Sequence, residues 1–205
     1  MQFTAEQKRK RVWLEIKDLL TGTAFPFIIQ LIFSASIILF ADYTEEIVLA
    51  VAALLLGECL LIGAYVVFGR QNGIYAYRRT AQGEKKRSLQ PDDISAQFKT
   101  GEYAIWKGFL IPFISVLPFM LFQFINCVAP NKVCEFLLLY AFGWAAYPFR
   151  VIGEATGALT EWLNFIWIIV PIGVHAAAYI WGARTETVRQ KKVEEAQQLK
   201  GKRKK

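Results

Sequence analysis

Phe136-Leu-Leu-Leu-Tyr140-Ala-Phe-Gly-Trp144-Ala-Ala-Tyr-Pro148-Phe149 is an apolar run of 14 residues that stops at Arg150. A helix needs roughly 20 residues to cross a hydrocarbon core of about 30 Å, and a run this short is typical of re-entrant or interfacial segments. Whether it crosses decides between five transmembrane helices and four. Four other stretches are long and apolar enough to span: about Thr23 to Ala41, Ile47 to Gly69, Gly108 to Val128 and Trp162 to Ala183.

Charge settles the parity. Of 24 Lys and Arg, five lie in residues 1–21, eight in 70–107 and nine from Arg184 onward, which leaves only Lys132 and Arg150. The connection Asp42-Tyr43-Thr44-Glu45-Glu46 is acidic, and Glu135, Glu154 and Glu161 fall between the third and last spans. Basic blocks stay in the cytoplasm, so both termini and the 70–107 loop are expected inside, in a plasma (inner) membrane. Two inside segments are joined by an even number of crossings. The expected fold is therefore an all-α polytopic protein with four crossings, and residues 131–161 form an outer-face insertion that dips in without crossing, its backbone covered by protein. The rival is five crossings with the tail outside.

Composition agrees. The 205 residues are 55% apolar and 15% aromatic, too much for a water-exposed surface, while a net charge of +7 must be segregated from the hydrocarbon. No cleavable leader is expected, since the first apolar run is long and preceded by more than 20 residues. Trp13, Tyr43, Trp106, Trp162, Tyr179 and Trp181 fall near span ends, as an aromatic belt would.

Residues 1–21 read as an interfacial amphipathic helix. Thr4 to Gln7 has the capping-box form, and Val12, Trp13, Ile16, Leu19 and Leu20 share a face opposite Lys8, Arg9 and Lys10. A second such helix is expected within the 70–107 loop, opening at Pro91-Asp92-Asp93 and carrying Ile94, Phe98, Ile105 and Trp106. Each runs into the same motif, G-x-x-x-P-F-I, at Gly22-Pro26 and Gly108-Pro112; Ala64-Tyr65 and Ala178-Tyr179 echo each other near the ends of the second and last spans. The chain thus reads as two repeats of interfacial helix plus hairpin: 22–69 the first hairpin, 108–183 the second with its insertion, and 184–205 a basic tail that continues the last helix. The Gly-Pro spacing is expected to make an elbow between membrane-parallel and membrane-crossing helix.

Polar residues inside spans are the candidate functional groups. Glu58 stands mid-way along the second span, where a charge is costly. Aligning the repeats puts His175 about one turn from its level, so a Glu58, His175 and Gln30 cluster is expected. It is either a proton or cation relay, or simple interhelical hydrogen bonding. Arg150 and Glu154, four apart, are expected to pair at the outer boundary, as a clamp or a vestibule. Cys127 and Cys134 flank a Pro130-Asn131 turn and are expected to be able to form a disulfide, whereas Cys59 is expected to be buried and inert.

No nucleotide, zinc-protease, serine-hydrolase or thiol-redox motif occurs, and the single histidine and three cysteines make a poor metal cage. No catalytic residues, cofactor or metal are expected. The basic clusters Arg78-Arg79, Lys85-Lys86-Arg87 and Lys202-Arg203-Lys204-Lys205 suit the bilayer's anionic lipid headgroups, not nucleic acid. The expected function is that of a non-enzymatic accessory or interaction subunit, self-associating or bound to another membrane protein; the alternative is a small oligomeric transporter or channel that uses Glu58, His175 and Gln30.

Overall fold

A computed structural model describes residues 4–43, 47–90, 101–156 and 163–203. All regular structure among them is helical: α1 (Ala5–Tyr43), α2 (Ile47–Leu89), α3 (Ile105–Val128), α4 (Lys132–Thr156), α5 (Leu163–Trp167) and α6 (Ile169–Arg203). Four helical stretches are long and apolar enough to cross a membrane, in α1, α2, α3 and the α5–α6 pair. Among the described residues, α4 supplies no such stretch.

The helices are longer than any bilayer requires. At 1.5 Å per residue, the 39, 43 and 35 residues of α1, α2 and α6 extend about 58, 64 and 52 Å. The surplus projects from one end of the bundle, the end rich in Lys and Arg, here the basic end. The expected extension of the last helix through the tail is present. Residues 70–89 are a continuation of α2, not a loop.

The elbow expected at Gly22-Pro26 does not form: α1 runs unbroken from Ala5 to Tyr43 with Pro26 inside it. The Thr4 and Gln7 capping box starts it, with Thr4 N–H donating to Gln7 Oε1 (2.9 Å) and Gln7 N–H to Thr4 Oγ1 (3.3 Å). Ion pairs then hold its first half upright against the bundle: Asp18 to Arg79 of α2 (2.6 Å) and Glu15 to the buried Lys107 of α3 (2.6 Å). Thr23 Oγ1 donates to the Leu19 and Leu20 carbonyls and stitches the turn before Pro26. The second interfacial helix falls mainly outside the described residues. The part that is described, 101–104, is non-helical and leads into Ile105 and Trp106 at the start of α3, while Ile94 and Phe98 lie outside the described residues.

Residues 101–104 form a strap across the basic end. Gly101 adopts φ +74°, which an L side chain rarely takes. Glu102 pairs with Arg87, Tyr103 N–H donates to Thr80 Oγ1 (2.9 Å), and the Tyr103 ring stacks on Tyr179 at 5.3 Å. Arg78 of α2 and Glu186 of α6 pair at 2.8 Å nearby.

α2 and α6 run parallel and almost backbone to backbone. A Cβ placed on Gly69 would lie 2.6 Å from the His175 carbonyl oxygen, one on Gly73 would strike the Tyr179 carbonyl oxygen, and one on Gly182 would strike that of Arg70. Small residues permit this approach in membranes, where dispersion and close contact hold helices together.

α4 is the inserted run, extended by the structure to 25 residues and bent at Phe142, whose φ −131° and ψ 26° are not helical. The bend sits in the core. Phe142 lies 5.8 Å from Phe119, 6.3 Å from Phe122 and 6.3 Å from Phe27 (ring centroids), and Trp144 is fully buried. Breaking a helix orphans backbone groups, and at this depth protein must satisfy them. Ser34 Oγ of α1 does so, accepting from Trp144 N–H at 3.4 Å while donating to the Gln30 carbonyl at 2.8 Å.

Candidate functional site

The bundle interior holds a buried polar cluster drawn from all four spans, three of its residues hydrogen-bonded to one another. Gln30 of α1 has Nε2 donating to the hydroxyl of Tyr65 on α2 and, at 2.9 Å, to Ser115 Oγ on α3. His175 of α6 meets the Tyr65 ring edge-on at 6.2 Å. Gln30, Ser115, Tyr65 and His175 are all at most 2% exposed.

The G-x-x-x-P motif builds one wall of this site. Proline has no N–H, so Pro112 cannot donate to the carbonyl four residues earlier, that of Gly108. His175 takes the vacated position, its Nδ1 2.9 Å from the Gly108 oxygen. A carbonyl only accepts, so Nδ1 carries the hydrogen and Nε2 is turned to the interior. Gly108 is obligatory here for a second reason: a Cβ would come within 2.9 Å of the Tyr179 ring.

Two polar atoms of the cluster, Gln30 Oε1 and His175 Nε2, are buried without a protein partner. Further toward the other end, Glu58 Oε1, Trp144 Nε1 and Asn164 Oδ1 are in the same state. An unsatisfied buried group costs about 1–3 kcal/mol.

The sequence-predicted cluster is thus divided. Gln30 and His175 come together around Tyr65, which the sequence reading did not single out as a site residue. Glu58 lies elsewhere: its carboxyl is hydrogen-bonded to Trp167 of α5, and no hydrogen bond or ion pair joins it to His175 or Gln30 among the described residues. The reason is register. Gly69 faces His175 and Ala178, so His175 sits about three turns from the level of Glu58 instead of one. Aligning repeats equates positions related by symmetry, and those are not positions side by side. Ser115 and Ser34 were also missed. Neither carried a local signal: the G-x-x-x-P motif marks the released Gly108 carbonyl, and His175 takes that.

The disulfide is not formed: Cys127 and Cys134 are both thiols. α3 continues as helix through Cys127, whose sulfur accepts from Gln123 Nε2 (3.6 Å), while Asn131 Oδ1 caps α4 through Val133 N–H (2.8 Å) and sends Cys134 into the core. Cys59, expected buried, is exposed on the outward face of α2. Arg150 and Glu154 both lie on α4, with their side chains outside the described residues. No group of three or more His, Cys, Asp or Glu suited to a metal occurs among the described residues.

Compared with family models, curated proteins and solved structures, the chain matches none. The site must therefore be read from its own chemistry. It offers a buried hydroxyl and amide cluster beside an imidazole, with acceptor capacity left over on Gln30 Oε1 and His175 Nε2.

Proposed function

We propose that the protein conducts protons across the membrane, with Gln30, Tyr65, Ser115 and His175 as the relay. The observation that carries this reading is a pair of buried acceptor atoms without a protein partner, Gln30 Oε1 and His175 Nε2, on either side of Tyr65. Polar groups kept only to fasten helices satisfy one another. Groups left open exchange hydrogen bonds with water, and an imidazole with one nitrogen fixed and one open can accept a proton and pass it on. Such a relay needs no catalytic residue, cofactor or metal, and the chain is read as non-enzymatic. Glu58 with Trp167 would lie further along the same path, and an oligomer remains part of this reading.

The accompanying topology is also a proposal. Basic blocks place the basic end in the cytoplasm of a plasma (inner) membrane. The bend at Phe142 and the Ser34 contact support reading α4 as re-entrant within a duplicated hairpin fold. On α1, the exposed Val12, Trp13, Ile16 and Leu20 continue the outward face of Phe25, Ile28 and Ile32, which favours contact with inner-leaflet lipid and its anionic headgroups.

A second reading, an accessory subunit docking another membrane protein, is favoured by the same exposed residues together with Val188, Val193 and Leu199 on the α6 extension. Flux separates the two. Reconstituted in vesicles with an internal pH-sensitive dye, the protein is expected to dissipate a pH gradient under a counter-ion potential, and Gln30→Leu to cut the rate about tenfold or more without lowering folded yield. An intact, folded protein that leaves the gradient at the rate of empty vesicles removes the relay.

A further inference from the structure

Below the cluster, toward the basic end, the same four helices line a half-open cavity of about 180 Å³, large enough for several waters. Its lining includes Asp18, Gly22, Asn72, Lys107, Ile111 and Tyr179. Each span helix contributes to both layers: Gly22 and Gln30 on α1, Asn72 and Tyr65 on α2, Ile111 and Ser115 on α3, Tyr179 and His175 on α6. The layers are separated by one turn on α3 and α6 and by about two turns on α1 and α2. The lining mixes charged and polar groups with the apolar Ala76 and Ile111. Ile111, 6% exposed, packs against Gly22, where an added Cβ would lie 3.3 Å from Ile111 Cδ1.

We propose that this cavity is the aqueous loading site of the pathway, and that Ile111, seated on Gly22, is the hydrophobic gate between it and the Gln30–Tyr65–Ser115–His175 cluster. The proposal rests on the relay reading. Its ligand is water carrying protons. Asp18, held by Arg79 at 2.6 Å and reached by Lys107 at 3.6 Å, sets a compensated, hydrated entrance that water can fill without leaving an isolated charge. Gly22 contributes a carbonyl released from helical bonding by Pro26, a second acceptor at the cavity wall. An apolar constriction one side chain thick stops conduction by excluding water and opens with a small displacement. The glycine at position 22 lets Ile111 reach across, and any side chain there would meet it. The strap at Gly101–Ala104 borders the same cavity through Gly101, so movement of the strap would alter the cavity's volume.

The test uses the full chain with Cys59, Cys127 and Cys134 replaced by serine and a reporter at Ser115→Cys, treated in detergent with a small water-soluble methanethiosulfonate. With Ile111 in place, the reporter is expected to react slowly; Ile111→Ala is expected to raise the rate about tenfold or more, and Gly22→Ala to leave it slow. Equal rates with Ile111 and Ile111→Ala overturn the gate, whether both are fast or both slow. If Ser115→Cys fails to fold, Gln30→Cys is the reporter and is read identically. Proton flux of Ile111→Ala in vesicles is measured in parallel. Faster labelling with no flux sinks the relay and leaves the gate standing, while flux that is unchanged by Ile111→Ala alongside unchanged labelling sinks the gate and leaves the relay.

Discussion

Gly73→Val will unfold the joint between α2 and α6, lowering stability by more than about 3 kcal/mol, because overpacking here forces backbone from backbone. A Cβ at Gly73 would strike the Tyr179 carbonyl oxygen and come within 2.8 Å of its carbon and 3.1 Å of Ala183 N. None of these is a side chain that can rotate away, so one helix must retreat. Gly69 and Gly182 repeat the same close contact within the adjacent turn, so separation at Gly73 propagates along the seam. Tyr179 and His175 lie on the displaced surface, and the polar cluster would lose its α6 wall. The check is thermal unfolding of detergent-purified protein, with Gly63→Val as the control. Gly63 has nothing within 4 Å of an added Cβ, so its variant should melt with the parent protein. If Gly73→Val also melts with the parent, α2 and α6 are not packed in this register.

Trp144→Ala is expected to cost about 3–5 kcal/mol, the range for deleting a large buried aromatic side chain. Trp144 is 0% exposed, stands two residues past the bend in α4, and packs 6.1 Å from Phe119. Its loss would leave a void in the centre of the bundle and remove the contacts that aim its own N–H at Ser34. Trp181→Ala is the comparison: Trp181 is 54% exposed, its ring lies 4.8 Å from the Arg70 guanidinium, and its removal should cost about 1 kcal/mol or less. The contrast measures where α4 sits. Were α4 a surface appendage, the two variants would be equally mild.

What could be read from the sequence follows physical range. Each of the four spans is announced by about 20 consecutive apolar residues, a local signal that tertiary contacts cannot change. The Phe136–Phe149 run was legible as shorter than the other four, though nothing local says that Phe142 leaves helical geometry. Helix register is different, because it depends on which small residues meet. Gly69, Gly73 and Gly182 set it, and their partners are a hundred residues away. The expected Glu58–His175 contact failed on that register, while Gln30 and His175 met through Tyr65. At Gly22 and Gly108 the motif was legible but its consequence was misjudged: glycine was read as ending one helix and proline as opening the next, whereas both helices continue and the released Gly108 carbonyl becomes a ligand for His175. The Asp18–Arg79 and Glu15–Lys107 pairs that keep α1 upright join residues far apart in the chain, which local amphipathicity cannot show.

The relay stands or falls on whether the cluster is wet. His175 is the only histidine in the chain, so its ring signals are unique in a labelled sample. Water-edited solid-state NMR of the protein in lipid bilayers should show magnetisation passing from water to the His175 ring at its Nε2 side, with Nδ1 protonated by its bond to Gly108. A His175 ring that receives nothing from water, in protein whose other signals are those of the folded bundle, would mean a dry interior and would contradict the proposed conduction of protons.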